Sequence, residues 1–240
     1  MEHYFTNNEN LKSNLRSIEY TVKNTSFVFY TDNGVFSKST VDYGTDLLIK
    51  AYLDNSEKTG NVLDIGCGYG VIGIVINKIK GQEIEQVDVN KRALHLTEMN
   101  NKENKTKSKI YESNIYEKIT NKFDVIITNP PIRAGKKIYM TILKEAHKYL
   151  KPNGELWFVV RKDQGAKTIE KELKENYNIK LIEKQRGYYI YKADFALTNW
   201  KMFVNIINWQ HIIFYKITCS FKTIELGWKS GLQSRKIWRP

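Results

Sequence analysis

A chain of 240 residues can bury one full α/β core with room for a modest appendage, and its 38 Lys and Arg against 26 Asp and Glu give a formal net charge of +12. That balance favours an anionic partner such as nucleic acid, although AT-rich genomes also inflate lysine without any binding role. Cys67 and Cys219 lack CxxC spacing, which argues against a disulfide framework or zinc site and for a reducing cytoplasm; the polar breaks at Asn205, Asn208, Gln210 and His211 argue against a membrane span.

Ile18, Tyr20 and Val22, then Phe27 and Phe29, alternate about Lys23-Asn24, which predicts an N-terminal hairpin. Asp32-Asn33-Gly34 reads as a turn, and a helix is expected over Tyr43 to Leu53. NVLDI at 61–65 is a short buried strand entering a glycine-rich bend. The following helix carries Val71, Ile72, Val75, Ile76 and Ile79 at three- and four-residue steps, and EIEQVDV at 83–89 is the next strand. Asn90 is placed to cap the helix that begins KRALHL. A strand near Lys109 to Glu112, the FDVIIT strand at 123–128, a helix from Lys136 to Leu150, and a Pro152-Asn153-Gly154 turn into ELWFVV follow. A helix near Gly165 to Glu175 and the strands NIKLIEK and GYYIYK, joined at Arg186-Gly187, close the body. These repeated βα units predict a Rossmann-like, doubly wound, mostly parallel seven-stranded sheet with an antiparallel last strand, preceded by the hairpin.

VLDIGCGYGVIG at 62–73 places Asp64, Gly66, Gly68 and Gly70 where the first sheet strand turns into a helix. Ligands of such sheets bind beyond the carboxyl ends of the strands, where glycines let the backbone approach them closely. Asp88 ends the second sheet strand, 20 residues beyond Gly68, and a carboxylate there can accept both hydroxyls of an adenosine ribose. Gly68-x-Gly70-x-x-Gly73 also matches the dinucleotide fingerprint, so glycines alone leave NAD and S-adenosylmethionine both open. Asp64 favours the methyl donor, because an acid before the bend can help hold an ammonium and sits badly beside a pyrophosphate.

FDVIITNPPIRAGKK at 123–137 drives an apolar strand into Asn129-Pro130-Pro131. Two prolines end sheet pairing and leave backbone acceptors unused. An exocyclic amine on a base is a poor nucleophile because its lone pair is delocalised into the ring. The Asn129 side-chain oxygen and the Pro130 carbonyl can each take one N–H, localising that pair and aiming it at an electrophilic methyl. The motif ends the fourth sheet strand, at the same edge of the sheet as the glycine bend.

These residues resemble class I S-adenosylmethionine-dependent methyltransferases of the small-domain type, close to the ribosomal RNA guanine-N2 methyltransferases acting on the small subunit. The likeness runs over roughly residues 3 to 192 and rests on EHYF, DNGVFSKSTVDYGTDLL, LDIGCGYGVIGI, VDVNKRAL, NPPIRAGK, KDQGAK and GYYIYK. It implies that Asp64, Gly66, Gly68 and Gly70, with Cys67 as a small residue in the same bend, lie along the methionine part of the cofactor. Asp88 with Val89 would serve the ribose, while Asn129, Pro130, Pro131 and Ile132 would form the catalytic turn, with Asn129 also against the cofactor. Phe36 and Ser37 of GVFS would approach the same pocket. The family usually follows its third strand with an acid and its prolines with an aromatic; this chain has Ser113-Asn114 and Ile132 instead, so the Asn114 oxygen must accept from adenine and another flat contact must serve the base. The family's larger members carry an additional N-terminal domain for substrate recognition that this sequence lacks.

Arg133 and Lys136 follow the catalytic turn, with Lys137, Arg161 and Lys162 nearby in the expected fold. They are candidates to neutralise phosphates around an inserted guanine. His3, His95, His147 and His211 have no spacing that suggests a metal site. The expected partner is RNA, ribosomal RNA or a small ribosomal subunit particle. Other amines (other RNA, DNA, protein glutamine), an NAD-dependent oxidoreductase and a non-catalytic RNA-binding protein are the alternatives. The domain is expected over residues 1–194, and residues 195–240 form a tail with seven Lys or Arg, one acid (Glu225) and four of the five tryptophans. That tail reads as an RNA-binding extension, a surface for a membrane or another protein, or translated sequence past the usual stop.

Overall fold

The computed structural model describes residues 11–131 and 134–195; Ile132, Arg133 and the whole tail from 196 lie outside them. Strands β1 (Arg16–Val22) and β2 (Thr25–Thr31) pair antiparallel, with Val22 opposite Thr25. Lys23 and Asn24 both take positive φ, 48° and 58°, the backbone of a two-residue turn that matches strand twist. Helix α1 (Tyr43–Asn55), β3 (Val62–Ile65), α2 (Val71–Lys80), β4 (Ile84–Asp88), α3 (Lys91–Glu103), β5 (Ser108–Glu112) and β6 (Phe123–Thr128) follow. Helix α4 (Lys136–Glu145), β7 (Leu150–Arg161), α5 (Ala166–Leu173), β8 (Tyr177–Gln185) and β9 (Tyr188–Phe195) complete the order.

The main sheet has the order β5-β4-β3-β6-β7-β9-β8. Only β9 runs antiparallel to its neighbours, so the last strand among the described residues lies one place in from the edge. Crossovers lead left from β3 and then right to β6, which makes the β3/β6 boundary the point where ligands enter such sheets. The strands are covered on both sides, and β7 shows why its sequence reads as a continuous apolar run. Trp157 and Val159 join α1, α2 and the hairpin on one face, while Leu156, Phe158 and Val160 join α4 and α5 on the other. Trp157 is fully buried, edge-on to Tyr52 at 5.5 Å, with its indole N–H donating to Glu155 Oε2 at 2.8 Å.

Two expected boundaries move. Helix α4 stops at Glu145 and gives way to a single 3-10 turn over Ala146–Lys148. The Pro152-Asn153-Gly154 turn lies within β7 as an irregularity: β6 pairs Phe123 with Leu150 but Val125 with Glu155, and Asn153 takes φ 62°. The Asn90 cap forms as expected, its side chain accepting from Arg92 and Ala93 amides at 3.0 and 3.3 Å.

The hairpin's outer edge is covered by side chains. Asn100 accepts from Tyr30 N and donates to Tyr30 O at 2.6 and 3.0 Å. Asn104, one helical turn on, does the same for Val28 at 3.1 and 2.8 Å. These amides satisfy β2 as a further strand would. They also fix where the chain leaves β2, and so place residues 32–42 over the carboxyl ends of the main sheet.

Candidate active site

A cavity of about 420 Å³ opens at the β3/β6 boundary, within the range of small-molecule sites. The bend after β3 forms its floor through Gly66, Cys67 and Gly68; Gly66, Gly68 and Gly70 take φ of 69°, 57° and 94°, and Gly70, expected along the cofactor, is instead the N-cap of α2 outside the lining. The Gly66 and Cys67 amides donate to the Val87 carbonyl at 2.9 and 3.1 Å, which locks the bend to the end of β4. Gly73 serves packing instead. A Cβ there would meet the Gln86 side chain at 2.6 Å, so only glycine lets α2 lie this close to β4.

Asp88 lines the cavity. One carboxylate oxygen accepts from Gly68 N and the other from Asn90 N, both at 2.9 Å. Burial raises this carboxyl above the ordinary aspartate range, and the N–H donors of Asn90, Gly68 and Val89 hold it partly back. As an acceptor-only group on the cavity wall, the carboxylate can also take hydroxyl donors. Val89, Ser113 and Asn114 line the same end; Ser113 is buried and Asn114 exposed.

Asp64 sits elsewhere than the sequence suggested. It is fully buried beneath the bend and absent from the cavity lining. Its Oδ2 accepts from Gly73 N and Gln86 Nε2, each at 3.1 Å, while Oδ1 is buried with no hydrogen-bond partner. Desolvation pushes this carboxyl up to about 7, against the Gln86 and Gly73 hydrogen bonds. Cys67 lines the cavity with a buried thiol that burial, and then Asp88 and Asp64, hold protonated well above its usual range.

The second wall comes from β6. Thr128 donates its hydroxyl to the Ile65 carbonyl at 2.8 Å, tying the end of β6 to the end of β3. Pro131 Cδ then lies 3.9 Å from where a Gly66 Cβ would be. Asn129, Pro130 and Pro131 line the cavity, and the Pro131 carbonyl accepts from Ala134 N at 2.9 Å. The Asn129 amide nitrogen donates to Thr45 Oγ1 at 2.9 Å and to Asp42 Oδ2 at 3.3 Å. Because a carboxylate only accepts, this contact settles which way the amide faces. Its oxygen is turned from Asp42 and has no donor among the described residues.

Asp42 and Thr45 are partners of Asn129 in the cavity wall that local sequence reading missed. Asp42 is the N-cap of α1, accepting from Thr45 N at 3.0 Å, and that role alone would have explained it. Phe36 and Ser37 do line the cavity, Phe36 at 39% exposure. Their loop is fastened by Asn90 Nδ2 to Gly34 O at 2.9 Å, Arg92 to Asn33 O at 3.1 Å and Tyr69 OH to Ser37 O at 3.3 Å. Lys136 is not among the lining residues; its ammonium pairs with Glu172 of α5 at 2.6 Å. Ile132 and Arg133 lie outside the described residues. Among the described residues, no group of three or more His, Cys, Asp or Glu side chains could hold a metal, and no helix is long and apolar enough to cross a membrane.

The lining carries Asp42, Asp88 and Glu112, and no Lys or Arg among its described members. Asp64 also reaches the third amide of α2 from beneath, where a dinucleotide fold would present its helix end to a pyrophosphate. The acid-lined cavity suits a nucleoside bearing positive charge better than a diphosphate. Sheet order and site together define a Rossmann-like domain of the nucleoside-binding, non-dinucleotide class.

A family model, the methyltransferase small domain, matches residues 26–192, and the chain belongs to that family. It is 41% identical over 197 residues to uncharacterized protein YbxB of Bacillus subtilis (strain 168), covering 80% of this chain and 98% of that one. It is 37% identical over 139 residues to ribosomal RNA small subunit methyltransferase C of Haemophilus influenzae (strain PittEE), covering 56% of this chain and 42% of the relative. The chain thus spans about two fifths of the length of that relative. A solved T. thermophilus 16S rRNA N2 methyltransferase, in complex with AdoMet and guanosine, superposes with a TM-score of 0.68 at 22% identity, over 76% of this chain and 51% of the other.

Proposed function

We propose that this protein transfers a methyl group from S-adenosylmethionine to the exocyclic N2 amine of a guanine in RNA, small-subunit ribosomal RNA being the favoured substrate. The observation that carries the reading is the pairing of an acid-lined cavity with an Asn129 side chain whose nitrogen is held by Asp42 and Thr45. When bound, S-adenosylmethionine supplies a methyl carbon activated by a sulfonium. The chain's residues fit that group: Asp88 would take the ribose hydroxyls, Asn114 and Ile115 of the same lining would serve the base, and the acidic lining would attract the cationic portion. The names of the ribosomal RNA methyltransferase C relatives and the guanosine in the T. thermophilus complex support the choice of guanine.

The Asn129 oxygen accepts one amine hydrogen and orients the nitrogen lone pair along the line of attack. As the amine nitrogen forms its bond to carbon, positive charge grows on it, and both N–H bonds become stronger donors. Asn129 then gains in the transition state over the ground state. Asp42 is a positioning residue, holding the amide while placing negative charge behind it. No strong base is needed before attack: as the N–C bond forms the methyl–sulfur bond breaks and leaves a neutral thioether, and the cationic amine then loses its proton to water.

Asn129→Ala tests this. S-adenosylmethionine affinity by calorimetry is expected to stay within about twofold while methylation of RNA falls by about 10²–10³. Unaltered methylation rejects the role of Asn129. Modified-nucleoside mass spectrometry of ribosomal RNA from cells with and without the gene tests the substrate. Loss of a nucleoside other than N2-methylguanosine would reject guanine N2.

A further inference from the structure

Beside the cavity, on the side away from Asp88, lies a cluster that the cofactor site does not use. Tyr43 opens α1, Tyr188 opens β9, Arg161 ends β7 opposite Tyr188, and Arg186 sits in the β8–β9 turn. The two rings are 5.5 Å apart. Arg161 lies over Tyr188 at 5.6 Å, and Arg186 over Tyr43 at 5.0 Å. The Tyr43 hydroxyl donates to Gln185 Oε1.

The cluster adjoins the catalytic wall directly. A Cβ added at Gly44 would lie 2.7 Å from the Tyr188 ring and 3.0 Å from Asp42 Oδ2. Less than the width of one side chain therefore separates Tyr188 from the carboxylate that holds Asn129. The electrostatics change sign over this distance. The cavity is lined by acids, whereas the rim carries the exposed side chains of Arg161, Lys162, Lys184 and Arg186 against Asp163 and Glu183. Asp163 takes one edge of the Arg161 guanidinium at 3.0 Å, but both side chains stay about half exposed or more, 49% and 64%.

Arg186 also departs from what its turn prefers. Its φ is 48° and that of Gly187 is 80°, a two-residue hairpin turn whose first position favours Asn, Asp or Gly and disfavours a long side chain. The chain keeps an arginine there, its guanidinium over the Tyr43 ring. Stacking fixes a guanidinium without occupying its in-plane N–H fork, which is the geometry that grips a phosphate.

We propose that Arg161, Arg186, Tyr43 and Tyr188 form a docking surface for the single-stranded RNA backbone that flanks the target nucleotide, the arginines contacting phosphates and the tyrosines holding them in place. This rests on the amine-methylation reading for the position of the target, but its test does not. The sheet edge explains the location: adenosine is assigned to the β4/β5 side, so a base reaching Asn129 must come from over β7 and β9.

The experiment uses full-length Arg161→Gln/Arg186→Asn and a fluorescein-labelled single-stranded RNA of about 12 nucleotides containing one guanine. Both proteins carry the same basic tail, so its contribution cancels in the comparison. Affinity by anisotropy is expected to fall about tenfold at low salt, with the slope of log K against log salt reduced by about 1.4 for two lost phosphate contacts. The midpoint of thermal unfolding should hold or rise, since Asn suits φ 48° better than Arg; S-adenosylmethionine affinity should not change. Unchanged RNA affinity and salt slope overturn the docking surface, whether or not the oligonucleotide is a methyl acceptor. Failure of the wild-type protein to methylate RNA while the variant still binds it less tightly overturns the amine-methylation reading and upholds the surface.

Discussion

Asp64 offers a stability measurement that isolates one carboxyl group. In the folded protein its pKa stands at about 7, raised chiefly by desolvation, against about 3.9 for an aspartate in an unfolded chain. Between those values the native state holds a proton that the unfolded state has released, so stability falls as pH rises. The stabilisation relative to the ionised form is complete below pH 4 and is lost through pH 7. About three pKa units at 1.36 kcal/mol each amount to about 4 kcal/mol in full, of which more than half falls between pH 5 and pH 8. Asp64→Asn keeps an oxygen for Gly73 N and Gln86 Nε2 and removes the titration. Urea unfolding of both proteins at pH 5 and pH 8 reads the difference: the wild type should lose about 2 kcal/mol more than the variant, about 1 M in midpoint for an m-value of about 2 kcal/mol/M. Parallel pH profiles for the two proteins would refute the claim that burial raises the Asp64 carboxyl toward neutral pH.

Gly70→Ala should cost about 2 kcal/mol or more in urea unfolding, because φ is 94° and the new Cβ would lie 2.8 Å from Thr97 Cγ2. An unchanged midpoint would show that the bend tolerates a side chain. Asp88→Ala should weaken S-adenosylmethionine binding by more than about tenfold in calorimetry, as two charge-assisted hydrogen bonds to the ribose and two to the Gly68 and Asn90 amides are lost. Equal affinity would remove Asp88 from the ribose site.

What was legible in the sequence was whatever local periodicity or backbone chemistry determines. The βα alternation, the Lys23-Asn24 hairpin, the Asn90 cap and the arrest of β6 at Asn129 each follow from residues within a few positions of one another. The features that escaped are made by distance in sequence. Asp42 and Thr45 meet Asn129 from 87 and 84 residues away, and Asp42 already had a sufficient local reason to be an aspartate. Lys136 read as a phosphate contact because Glu172, which pairs with it, lies 36 residues on. Asp64 read as an acid placed to help hold a methionine ammonium. Strand alternation, however, turns it under α2, and its two neighbours Leu63 and Ile65 pack against the opposite layer.

The charge distribution joins these observations into one physical account. A net charge of +12 read as a global attraction for nucleic acid, yet the described lining of the cavity contains three acids and no base. Half of that charge belongs to residues 195–240, and within the described residues positive charge gathers at the rim while acids line the cavity. On the proposed reading, a phosphate backbone held at the rim by Arg161, Lys162 and Arg186 would be repelled from the interior by Asp42, Asp88 and Glu112, so that the backbone halts at the mouth while a neutral base passes in. Asp42 lies at the border between these regions. Its carboxylate is 3.3 Å from the Asn129 amide and one residue from the tyrosine that carries the rim arginine. On the proposed reading, the same negative charge that turns phosphate away stands behind the acceptor oxygen that stabilises a cationic amine. Exclusion of the backbone and stabilisation of the transition state would then be two results of one carboxylate.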